Sequence, residues 1–138
     1  MCMVYFIASA RSLPPIEWHA ERPSMHVGAV SESESTVVGH FPDAQMVSYV
    51  GSHLHCGCGF RCETLGAEPE DASDIQRSHD DLATYLTSLP ADAGPIHIYG
   101  CWSGDEAEPT EHLRTVAPDR LRDPDFEFRE RELLTVLL

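Results

Sequence analysis

The apolar positions of this chain alternate with a period of two over several short stretches and with spacings of three and four over one long stretch. In residues 3–9, Met3, Tyr5 and Ile7 interleave with Val4, Phe6 and Ala8. Both faces of that extended segment are apolar, so it reads as a buried central strand. Pro14-Pro15 stops it, because proline has no N–H to give to a ladder. Residues 25–30 read as a second, short strand. The polar run 31–35, followed by Val37, Val38 and Phe41, reads as a short helix ended by Pro42-Asp43. Residues 45–50 form a third strand with Met46, Ser48 and Val50 on one face. Residues 96–102 form a fourth, in which Ile96, Ile98, Gly100 and Trp102 oppose His97, Tyr99 and Cys101.

The long stretch starts in acidic residues at 68–74, which suit the positive end of a helix dipole. It then places Ile75, His79, Leu82, Tyr85, Leu86 and Leu89 along one helical face before Pro90 and Gly94-Pro95. Residues 110–116 read as one or two helical turns and 118–124 as loop. In the last segment Phe126 and Phe128 alternate like a strand whereas 130–138 would also continue a helix; the period of two favours strand. The expected fold is α+β: a single domain over residues 1–138, with a mixed, mainly antiparallel sheet of about five strands and one main helix at about 70–89 packed on it.

Composition adds a sign. The 138 residues carry 9 Lys+Arg against 23 Asp+Glu, a net charge of −14. That field repels phosphate backbones and anionic membranes, so nucleic acid and lipid surfaces are not expected partners, whereas a metal cation is. The plainer use of such a surface is solubility. Every basic residue is Arg, which removes Schiff-base lysine chemistry and the P-loop. Residues 3–10 end in Ala-Ser-Ala like a signal peptide but have no basic lead-in, and no run reaches bilayer length. The expected setting is cytoplasmic, where the 5 Cys act as thiols or metal ligands.

The chemistry-bearing run is Ser52-His-Leu-His-Cys-Gly-Cys-Gly-Phe-Arg-Cys62. Thiolate and imidazole are ligands for zinc or copper rather than calcium or magnesium. His53 and His55 project to one side of an extended segment, while Gly57 and Gly59 let the chain wrap closely enough to bring Cys56, Cys58 and Cys62 together. A Cys-x-Cys pair is less usual for zinc than Cys-x-x-Cys and suits Cu+. The expected ligand set is His53, Cys56, Cys58 and Cys62, with Cys101 the remote candidate and His55 and His97 in reserve. Zn2+ is the first expectation and Cu+ the second. Three plainer or different uses compete: small buried apolar cysteines, a Cys56/Cys58 redox pair with Arg61 favouring thiolate, and a tight turn with exposed histidines.

Elsewhere, Cys2 would become an N-terminal nucleophile if Met1 were removed, although a cysteine packed at a strand end is the simpler reading. Asp105 and Glu106 offer an acid pair after the fourth strand. Ser52, His53 and Asp105 can be picked as a triad, without a Gly-x-Ser-x-Gly elbow to support it. Met1-Cys2 leading into Tyr5-Phe6-Ile7-Ala8-Ser9, Gly51-Ser52-His53 running to Cys56-Gly57-Cys58-Gly59-Phe60, and Cys101-Trp102 with Gly104-Asp105-Glu106 together resemble a set of small uncharacterised bacterial proteins. The resemblance spans most of the chain, implies no activity, and implies that the three pieces meet in one place. The functional expectation is transition-metal binding in a structural, sensory or metal-handling role. The alternatives are a thiol redox enzyme or sensor, and a non-catalytic acidic interaction module.

Overall fold

A computed structural model describes residues 2–43, 45–61 and 69–138. It contains one mixed sheet of six strands: β1 (Met3–Ser9), β2 (His26–Ala29), β3 (Met46–Gly51), β4 (Ile96–Trp102), β5 (His112–Val116) and β6 (Glu132–Val136). Their order across the sheet is β2-β3-β1-β4-β6-β5. All neighbours are antiparallel except β5 and β6. All seven residues of β1 are buried, as expected for a strand apolar on both faces and paired on both edges.

Each face of β1 has its own cover. Met3, Tyr5 and Ile7 join Ile96, Ile98 and Leu134 under helix α1 (Pro69–Thr87), which contributes Leu82, Ala83 and Leu86. Val4, Phe6 and Ala8 join Tyr99, Cys101, Val37 and Phe41, the last two brought by a 3-10 helix at Glu32–His40 and the residue that caps it. Fully burying side chains of this size contributes about 1.5–3 kcal/mol each, so β1 anchors both layers.

Two segments differ from expectation. Residues 112–116 are a strand, not helical turns: β5 is an edge strand whose Leu113 is 78% exposed. Arg114 instead reaches inward, to Glu132 at 2.7 Å and over the Phe126 ring. A strand facing water on most positions carries no apolar period to read. In the last segment the strand is Glu132–Val136, and the alternating Phe126 and Phe128 precede it. Both rings are buried instead under α1, in an aromatic cluster with Tyr5, Phe60 and His79. Between β5 and β6, a 3-10 turn at Pro118–Arg122 packs on α1 through buried Leu121 and through a 2.8 Å bond from the Gln76 amide to the Arg122 carbonyl. Among the described residues no helix is long and apolar enough to cross a membrane.

His79 is locked in this core. Its Nε2 meets the Phe60 carbonyl at 2.9 Å and its Nδ1 the Leu121 carbonyl at 3.3 Å. Burial outweighs both carbonyls and pulls its pKa below the ordinary histidine value, so the neutral ring donates once, to the closer oxygen. Because the unfolded chain takes up that proton first, the contribution to stability is complete above about pH 6.5 and is lost as pH falls, by up to about 1.4 kcal/mol per pH unit. Urea unfolding at pH 7.5 and pH 5 checks this: His79→Gln should flatten the fall seen in the parent. Equal slopes in the two proteins would show that the ring titrates normally.

Candidate metal centre

The segment after β3 is organised by Ser52. Its backbone N–H and its hydroxyl both donate to the Cys56 carbonyl, at 2.9 and 2.6 Å. Its oxygen accepts the N–H groups of Leu54 and Gly59 at 3.2 and 3.1 Å. His55 reverses the chain with φ of 74°, and a 3-10 turn at Gly57–Phe60 returns it to the sheet. Gly59 lies so near His53 that a Cβ there would stand 2.7 Å from the imidazole Cε1. The two expected glycines thus permit close approach, as the sequence suggests.

This loop lands on the start of β1. The Met3 N–H donates to the Cys58 sulfur at 3.3 Å, and the sulfurs of Cys2, Cys56 and Cys58 lie within 4.8 Å of one another. Cys2 is exposed and the other two are half-buried. Three thiols at that spacing are close enough to hold a metal ion. Burial is the main cause that pushes the Cys56 thiol up, to about 11, while the Cys58 backbone N–H works in the opposite direction. At neutral pH Cys56 is therefore a thiol, and the thiol form is a poor nucleophile.

The other expected residues sit as follows. His53 is 7% exposed and turned toward α1, its backbone N–H and its Nδ1 both on the Ser78 hydroxyl, at 3.1 and 2.8 Å. Its carbonyl accepts the Trp18 indole N–H at 2.9 Å. His55 is exposed, stacked on Trp18 at 5.1 Å and edge-on to His26 at 4.9 Å. Cys101 is fully buried on the face of β4 that holds Tyr99; burial and then Glu106 push its thiol up to about 12. His97 stands at the opposite end of β4, bonded to the Gln45 side chain at 2.9 Å. Neither histidine of the loop, nor Cys101, nor His97 belongs to the three-thiol group. Cys62 lies outside the described residues.

The difference has a topological cause. With β1 inserted between β3 and β4, the strand beside the cysteine loop is β1, and the residue just before it, Cys2, stands where β4 was expected to supply Cys101. The third motif still approaches, by its turn rather than its cysteine: the Ser103 N–H donates to the Cys2 carbonyl at 2.8 Å. Tyr49 on β3 reaches the cysteine loop, its hydroxyl donating to the His55 carbonyl at 3.5 Å. Burial, followed by Cys56, Glu34, Cys2 and Cys58, raises its phenol and keeps it protonated. Tyr49 carried no signal in the sequence, and Ser52, which opens the cysteine run, was marked there only as a possible triad member and not as the residue that organises the loop.

Comparisons of the chain with protein-family models, with curated proteins and with solved structures find no match, so the reading of this site rests on its own geometry.

Proposed function

We propose that this protein binds one transition-metal ion, zinc before copper(I), through Cys2, Cys56 and Cys58. The observation that supports this is the mutual approach of the three sulfurs within 4.8 Å. Around a tetrahedral zinc with Zn–S bonds of about 2.3 Å, neighbouring sulfurs stand about 3.8 Å apart. Closing on the ion therefore takes shifts of about 1 Å or less on the scale of that geometry. Three thiolates leave the fourth position of zinc to another donor; copper(I) is satisfied by three soft ligands. The net charge of −14 favours the cation's approach.

Metal analysis of freshly purified protein, paired with thiol counting before and after mild oxidation, tests the reading. The expected result is one metal per chain, with zinc in excess of copper and with thiols protected until a chelator is added. Metal-free protein that loses two reactive thiols on mild oxidation would replace this reading with a Cys56/Cys58 redox couple. Neither signal would leave an acidic interaction module.

A further inference from the structure

Beside the thiols lies a pocket of about 470 Å³, within the range of small-molecule sites. Ser31, Ser33, Tyr49 and Ser103 bring hydroxyl-bearing residues to its walls, Glu34 and Glu106 bring carboxylates, and none of the described residues lining it is basic. Both carboxylates are held in place. Glu34 accepts the Ser31 hydroxyl at 2.6 Å and the Ser31 N–H at 3.3 Å. Glu106, only 5% exposed, accepts the Gly104 N–H with both oxygens, at 3.1 and 3.2 Å. An anion entering would face two fixed carboxylates on a chain of net charge −14. A cation with N–H or O–H groups would instead find charge-assisted acceptors and hydroxyl partners together.

The pocket also has a definite relation to the thiols. Its Tyr49 wall comes from β3 and its Ser103 wall from the turn after β4, while β1 runs between those strands. Strand alternation puts Cys2 on the side of Val4 and Phe6, the side where the Tyr49 ring meets Phe6 at 6.0 Å. The Ser103 N–H is bonded to the Cys2 carbonyl at 2.8 Å, and Tyr49, which lines the pocket with Glu34, donates its hydroxyl at 3.5 Å to the carbonyl of His55, the residue before Cys56. Cys2, the exposed member of the thiol group, therefore adjoins the pocket.

We propose that this pocket binds a small organic cation, a protonated amine or guanidinium bearing at least one further hydrogen-bonding group, and holds it beside the metal centre. Only the second half, the neighbouring metal, rests on the function proposed above. The ligand would occupy the space next to whatever fills the ion's fourth position, which would make the centre a site that presents a metal to a bound molecule.

The full-length chain, metal-free and zinc-loaded, would be titrated with ethanolammonium, with glycolate as the anionic control and ethylene glycol as the neutral one. Amide chemical shifts of residues 31–34 and 103–106 report occupancy. Ethanolammonium alone should give saturable shifts, with a dissociation constant below about 10 mM. Glu34→Gln and Ser33→Arg should each weaken it at least about tenfold, or about 1.4 kcal/mol, without changing zinc content. Equal responses to the three probes, no saturable response, or indifference to both substitutions overturns the cation pocket. Cobalt(II) in place of zinc should broaden the methylene resonances of the bound probe; sharp resonances with cobalt bound overturn the adjacency. Failure to bind any metal while ethanolammonium still binds overturns the metal reading and leaves the pocket standing.

Discussion

Cys58→Ser is expected to release the metal while leaving the protein folded, with an affinity loss of more than about a hundredfold, beyond what is usual for the loss of an outer-shell partner. A serine hydroxyl does not deprotonate to give the anionic donor that a thiolate supplies. The fold should tolerate the change, since Cys58 is half-buried and the Met3 N–H that donates to its sulfur at 3.3 Å can donate to an oxygen as well. Cys101→Ser is the informative comparison. It places a hydroxyl among Val4, Phe6 and Tyr99, costing about 1–3 kcal/mol of stability, yet should keep the full complement of metal. Zinc measured per chain after gel filtration, beside a thermal melt of each variant, separates the two effects. Metal retained by Cys58→Ser, or lost equally from Cys101→Ser, would move the ligand set to β4.

That pair of substitutions marks the boundary of what the chain reveals before folding. The central strands and the main helix are legible because their apolar positions are dense and periodic; β1 and β4 have the bounds that alternation assigns them. The cysteine run is legible because Gly57 and Gly59 separate ligand-type side chains within a few residues. Which remote cysteine joins it is not, because that depends on strand order. Alternation says which way Cys101 faces but not that β1 stands between β3 and β4. Cys2 was visible as an unusual residue at a strand start, yet local sequence gave its thiol no neighbour. β5 was invisible for the reason given by Leu113: an edge strand exposed on most positions lacks the signature that buried strands have. The pocket was equally hidden, since its walls come from three separated segments and its polar groups are ordinary serines, glutamates and one tyrosine.

A large loss of stability is expected from adding one methyl group at Gly57. A Cβ there would stand 2.7 Å from the Met3 carbonyl oxygen and 2.8 Å from an edge carbon of the Tyr5 ring. Neither can give way. Met3 is part of the central strand, paired with Trp102. The Tyr5 ring is held edge-on by Phe60 at 5.5 Å and against Phe128 at 4.9 Å, and it lies so close over Gly100 that a Cβ at that position would strike it as well. Tyr5 is thus clamped between two glycines, one in the loop and one in β4. Gly57→Ala must lift the loop from β1, at a cost of about 2–3 kcal/mol, equivalent to a fall in Tm of roughly 10 °C for a chain of this size. The same movement breaks the bond from the Met3 N–H to the Cys58 sulfur and carries Cys56 and Cys58 away from Cys2, so metal affinity should fall with stability. Gly39→Ala is the matched control, since a Cβ there meets nothing within 4 Å, and it should melt within about 2 °C of the parent. If Gly57→Ala melts with Gly39→Ala and keeps its metal, the close seating of the loop on β1 is wrong, and the three-thiol centre built on that seating falls with it.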